Sequence, residues 1–187
     1  MNIRPLKNFV FLIILSLSTF SCEREVAPLK IKKIDYLGDQ LRIDGYYHSE
    51  VETIEPPYIH VAVFYRDGFC IHTCTRVDKM SGSDTLNYLE TTLLNNAFVS
   101  KLKERPLHVG AFKINETDLQ FEIWNDPGSI VGRPISSFSH YGKILNDTTF
   151  VITKMVNNRT NHTFLQNLVY HFEQFSPKPD STCAYVK

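Results

Sequence analysis

The chain is 187 residues long, 43% hydrophobic and 12% aromatic, enough for one domain with a proper core and too little for two comfortable ones. Charged residues make up 21%, and 20 basic residues balance 20 acidic ones, which excludes bulk disorder and leaves no basic surplus to point to nucleic acid. One Trp, 9 Tyr and 13 Phe suit strands better than a helical bundle.

The first 21 residues differ in kind from the rest. Arg4 and Lys7 give a positive start, and no acidic residue precedes Glu23. Phe9 to Leu17 is almost continuously apolar, too short to span a bilayer but the length of a signal-peptide core. Ser18, Thr19, Phe20 and Ser21 lead to Cys22. This stretch resembles a bacterial lipoprotein signal, in which cleavage falls just before a lipidated cysteine. Thr19 and Phe20 depart from the usual residues three and two places before that cysteine, in the loose manner of Bacteroidetes signals. The resemblance implies residues 1–21 as signal peptide, Cys22 as the acylated first residue, and an outer-membrane address. An ordinary secretory signal with Cys22 incidental is the plainer alternative. Glu23 to Pro28 reads as a polar tether, so that 22–28 links the lipid to a single domain over 29–187.

Period-two patterns dominate that domain. Leu29, Ile31 and Lys33, then Leu41, Ile43, Gly45 and Tyr47, predict a hairpin or two adjacent short strands around Gly38-Asp39. Glu50 to Pro57 is acidic, ends in Pro56-Pro57, and predicts a loop. Ile59–Arg66 and Phe69–Val77 predict a hairpin on a two-residue Asp67-Gly68 turn. Met80 to Asp84 predicts another loop, with Ser83 or Asp84 capping a helix. Leu86, Leu89, Leu93, Ala97, Phe98 and Leu102 then recur at helical spacing up to Pro106.

Strands return after Pro106. Leu107–Ile114 and Leu119–Trp124 flank a turn, Gly128–Pro134 predicts a loop, and Ile135–Leu145 and Thr148–Val156 flank Asn146-Asp147. A polar stretch, Asn157–Thr163, precedes a last strand over Leu165–Phe175. Tight turns pair neighbouring strands antiparallel, and eight or nine such strands close into a barrel or pack as a sandwich. The expected fold is therefore mainly β, an antiparallel barrel with one helix inserted after the fourth strand.

The run Gly142-Lys143-Ile144-Leu145-Asn146-Asp147-Thr148-Thr149-Phe150 and the stretch from Tyr170-His171-Phe172 to Thr182 resemble uncharacterised lipoproteins of Bacteroidetes. That resemblance implies a lipocalin-like small barrel. It brings no activity and no catalytic residues.

The sharpest local cluster is Cys70, His72 and Cys74, alternate residues of one strand and hence of one face. On a two-residue turn they lie opposite Tyr65, Val63 and Val61, which makes Tyr65, Cys70, His72 and Cys74 the candidate ligand-binding residues. In that register His60 points to the other face, and a tetrahedral metal site normally draws on two elements, so the plain core reading outweighs a metal. A buried His72 then needs a hydrogen-bond partner, a water or a distant strand. Cys70 and Cys74 stand too far apart along one strand to bridge, at about 13 Å for four residues. A bridge from either to Cys183 stays open. His48, His108, His140, His162 and His171 are scattered.

The chain has no Gly-x-Ser-x-Gly elbow, no phosphate-cradling Gly-rich loop and no His-Glu-x-x-His helix, and no cofactor is expected. The leading expectation is a non-enzymatic lipid-anchored module whose partners are a membrane, through Cys22, and a small apolar ligand or an envelope protein. The alternatives are an envelope hydrolase using His72 with Cys70 or Cys74, and a subunit of an outer-membrane complex.

Overall fold

The computed structural model describes residues 25–51, 55–77, 82–125 and 134–187. The signal segment, Cys22, part of the acidic loop (52–54), Met80 and the loop residues 128–133 lie outside them. Eight strands form a closed barrel in chain order: β1 (Gly45–Ser49), β2 (Tyr58–Phe64), β3 (Phe69–Arg76), β4 (Val109–Asn115), β5 (Asp118–Trp124), β6 (Ser137–Asn146), β7 (Thr149–Asn157) and β8 (Thr163–Gln174). Every neighbouring pair is antiparallel, and β8 closes on β1 through five register pairs from Gly45↔Gln174 to Ser49↔Tyr170. Closure leaves no sheet edge exposed.

The expected strand over Leu29–Lys33 does not form. The chain from Glu25 to Asp44 is an irregular strap against the barrel, so the helical insertion follows the third strand. Glu122, wholly buried on β5, holds the strap down. Its Oε2 accepts the backbone N–H groups of Lys30 at 2.8 Å and Ile31 at 2.9 Å. Its Oε1 accepts from Ser137 and from Asn158 Nδ2. Four donors satisfy a carboxylate that would otherwise be expensive to bury.

The expected single helix is broken into α1 (Gly82–Tyr88), a π-helical turn over Leu89–Leu93, and α2 (Asn96–Lys103). Asn95 makes the break. Its extended backbone starts a new helix, and its side-chain oxygen accepts from Phe98 N at 2.8 Å. Apolar spacing carries no record of such an internal cap.

Two apolar clusters divide the core. Inside the barrel, Tyr47, Phe64, Phe112, Phe121, Phe150 and Tyr170 pack with Leu41 and Tyr36. Outside it, Val61, Val63 and Ile71 pack under Leu89, Leu93 and Val99 of the helical insertion. β2 and the first half of β3 are thus buried on both faces, which explains the near-continuous apolar run of β2.

The β2–β3 turn differs from the two-residue expectation. Tyr65 N donates to Phe69 O at 3.0 Å and Gly68 N to Tyr65 O at 3.0 Å, so Arg66, Asp67 and Gly68 make a three-residue connection with Gly68 at φ +78°. The pairing shifts by one residue to Phe64↔Cys70, Ala62↔His72 and His60↔Cys74. Gly68 is needed here twice over, because a Cβ would also meet the Ile34 carbonyl oxygen of the strap at 2.2 Å.

Candidate functional site

The register decides the site. With side chains alternating along a strand, Cys70, His72 and Cys74 share one face with Phe64, Ala62 and His60, of which Cys70, Phe64 and Ala62 belong to the inner cluster and Cys74 is exposed. Tyr65, Val63 and Val61 belong to the outer cluster. Three of the four candidates therefore stay together, Tyr65 leaves them, and His60 joins them.

Aromatic side chains fill one end of the barrel, and a cavity of ≈ 180 Å³ occupies the other. His60, His72, His108 and His140 contribute to its wall, with Cys74 and Tyr170. Ile123, Met155 and Leu168 supply apolar surface, and Thr73, Asn125 and Gln166 add neutral polar groups. Cys70 lies below it, fully buried, where burial pushes its thiol up, away from the thiolate that a nucleophile requires. No disulfide joins Cys70, Cys74 and Cys183.

His72 is the hub of the imidazole cluster. Its ring stacks on His60 at 5.5 Å between centroids, tilts against His140 at 5.0 Å, and lies 5.2 Å from Phe121. Its Nε2 is 3.0 Å from the Tyr170 hydroxyl on β8, so the distant strand supplies the partner a buried histidine needs. His140 in turn stacks on Phe121 at 4.4 Å with the planes 9° apart, its directly paired neighbour on β5. Strands β2, β3, β5, β6 and β8 converge here, so the cluster is held by the barrel itself rather than by loops.

Burial holds His72 well below the ordinary imidazole range, with His140, His60 and His108 reinforcing the effect. His72 keeps some accessible surface and lines the cavity. Burial also pushes His140 down to about 3, His60 adding to it and the Phe138 backbone offsetting only part. These rings are neutral at pH 7. His140 Nδ1 is buried without a hydrogen-bond partner among the described residues.

His108 reaches the rim by an unusual backbone. It stands at φ +70°, held between β3 and β5, with its carbonyl accepting from His72 N at 2.9 Å and its N–H donating to Trp124 O at 3.0 Å. A non-glycine residue in that region is uncommon and is kept only where its surroundings over-determine it.

No group of three histidine, cysteine or carboxylate side chains among the described residues is placed to hold a metal ion. Sequence reasoning missed His60, His108, His140 and Tyr170. The signal for His60 was the turn length. For His140 and Tyr170 it was closure of the barrel, which brings β6 and β8 opposite β3. Comparison of the chain with known protein families, curated proteins and solved structures finds no match.

Proposed function

We propose that this chain is a lipid-anchored, non-enzymatic protein of the bacterial cell envelope that holds a small ligand in the histidine-lined end of its barrel. The observation that carries the ligand reading is the division of the barrel interior into an aromatic floor and a cavity walled by neutral polar groups. Binding sites are concave, mostly apolar and furnished with a few convergent polar groups. The cavity is below the usual size for a drug-like molecule but above the roughly 150 Å³ of an engineered cavity that binds benzene. It therefore fits a ligand of one ring.

The anchor rests on residues 1–22, with a positive start, an apolar core and a small residue before Cys22. Acylation of Cys22, palmitate among the chains, supplies membrane residence without a membrane-spanning helix. No helix among the described residues is long and apolar enough to cross a bilayer. Glu23-Arg24 lacks the Asp that retains enteric lipoproteins in the inner membrane, which favours the outer membrane.

The ligand reading is tested on the full chain in lipid nanodiscs, by recording methyl spectra of Ile123, Met155 and Leu168 against a set of single-ring fragments. Saturable shifts that vanish in a cavity-filling Leu168→Trp variant support it. Fragments that leave all three methyls unmoved overturn it.

A further inference from the structure

The ligand's chemical class is legible in the cavity wall, on the reading that the cavity holds a ligand. The wall carries no carboxylate, lysine or arginine among the described residues. Its titratable members are the imidazoles, Cys74 and Tyr170, and the imidazoles that pack against His72 come from β2 and β6. Burial keeps His72, His108 and His140 uncharged at neutral pH. A ligand bearing a formal charge would enter with no counter-charge, and an unpaired ion in such surroundings is strongly disfavoured.

The same wall asks for a hydrogen bond. Thr73, Asn125, Gln166 and the His140 ring line it with neutral groups that can donate and accept hydrogen bonds. A neutral imidazole donates from one nitrogen and accepts at the other. A hydroxyl does both, so it suits either tautomer. The remaining surface favours an apolar body: Ile123 and Leu168 line the cavity together with Met155, a soft and adaptable side chain.

We infer that the cavity binds a small uncharged molecule made of one apolar ring and a hydroxyl, of the phenol class, and rejects carboxylates and ammonium ions of the same size. The cluster is not prearranged for a metal among the described residues, and a hydroxyl needs no rearrangement of the His72–Tyr170 hydrogen bond.

The experiment uses fluorine NMR on the full chain in nanodiscs at pH 7, with 4-fluorophenol, 4-fluorobenzoate and 4-fluorobenzylamine as probes. Leu168→Trp serves as the baseline for partition into lipid. The expected result is saturable binding of 4-fluorophenol, roughly tenfold or more tighter than either charged probe, a separation of about 1.4 kcal/mol. A His140→Phe variant, folded by circular dichroism, should weaken 4-fluorophenol by roughly fivefold or more. Equal or tighter binding of the benzoate or the benzylamine overturns the uncharged class while leaving a ligand-holding barrel. Zinc ions that shift the imidazole resonances at lower concentration than 4-fluorophenol overturn it in favour of a metal site. If no probe binds, the class and the ligand reading fall together.

Discussion

His72 Nε2 and the Tyr170 hydroxyl meet at 3.0 Å, joining β3 to β8 across the inside of the barrel. The two residues are 98 apart in sequence, and Tyr170 is 1% exposed. The bond thus ties the third strand to the last in the wall of the cavity. Tyr170→Phe leaves the imidazole nitrogen without that partner and should lower stability by about 1–2 kcal/mol. His72→Leu should cost a similar amount rather than being neutral. Urea denaturation of both single variants and the double variant checks this. Losses that simply add would mean that the two groups do not couple.

Acid should destabilise this protein early. His140 titrates near 3 when folded against 6.5 for a free imidazole, and His72 and His108 are also held below that value. Below pH 6.5 the unfolded chain takes up protons that the folded one refuses, so stability falls as pH drops, down toward the folded values. Each fully buried imidazole contributes a slope of up to about 1.4 kcal/mol per pH unit in that window. The urea midpoint at pH 5 should therefore lie well below that at pH 7, and His140→Phe should reduce the difference. Equal midpoints at the two pH values would contradict the buried, neutral cluster.

Strand order and barrel class were legible because tight turns and alternation record which neighbours pair. β7 illustrates this, with Phe150 and Ile152 buried inside and Thr149 and Val151 less buried on the other face. The site was less legible for two reasons. Asp67-Gly68 is compatible with two turn lengths, and a one-residue difference moves His60 to the opposite face. His140 and Tyr170 reach His72 only because the sheet closes, a long-range fact that no local pattern contains. The strap was misread as a strand because Leu29, Ile31 and Lys33 alternate, while the ladder partner they would need is replaced by the Glu122 carboxylate.

Gly68→Ala should be costly and Gly82→Ala harmless. An added methyl at Gly68 meets the Ile34 backbone and must adopt φ +78°, whereas at Gly82 it meets nothing within 4 Å among the described residues. The first change should cost about 1–3 kcal/mol, the second at most a few tenths. Thermal melts of the two variants side by side give the comparison. Similar melting temperatures would argue against the three-residue turn.

Glu122 supplies a more local test of how the strap is held. Glu122→Ala strands the Lys30 and Ile31 N–H groups and the Ser137 hydroxyl, while Asn158 keeps Ser137 and Ser139 as acceptors, for a loss of about 3 kcal/mol or more. Glu122→Gln keeps the shape but turns an amide N–H₂ toward donors, and should recover only part of it. Limited proteolysis should cut the strap between Lys30 and Asp44 faster in both variants than in the parent. Unchanged cleavage there would mean that other contacts hold the strap.

The anchor is tested at Cys22. Each buried methylene is worth about 0.8 kcal/mol, so one acyl chain holds a protein loosely while several hold it firmly. Removal of residues 1–21 takes away Arg4 and Lys7 but no acidic residue, leaving a slight acidic excess and no basic patch to assist the lipid. On the proposed anchor, membrane residence would rest on the lipid of Cys22. In a bacterial host, labelled palmitate should enter the parent and not Cys22→Ala, and the variant should accumulate as uncleaved precursor or appear as a soluble product. Unlabelled parent protein, or a processed variant that stays with the outer membrane as the parent does, would show that this cysteine is not the anchor.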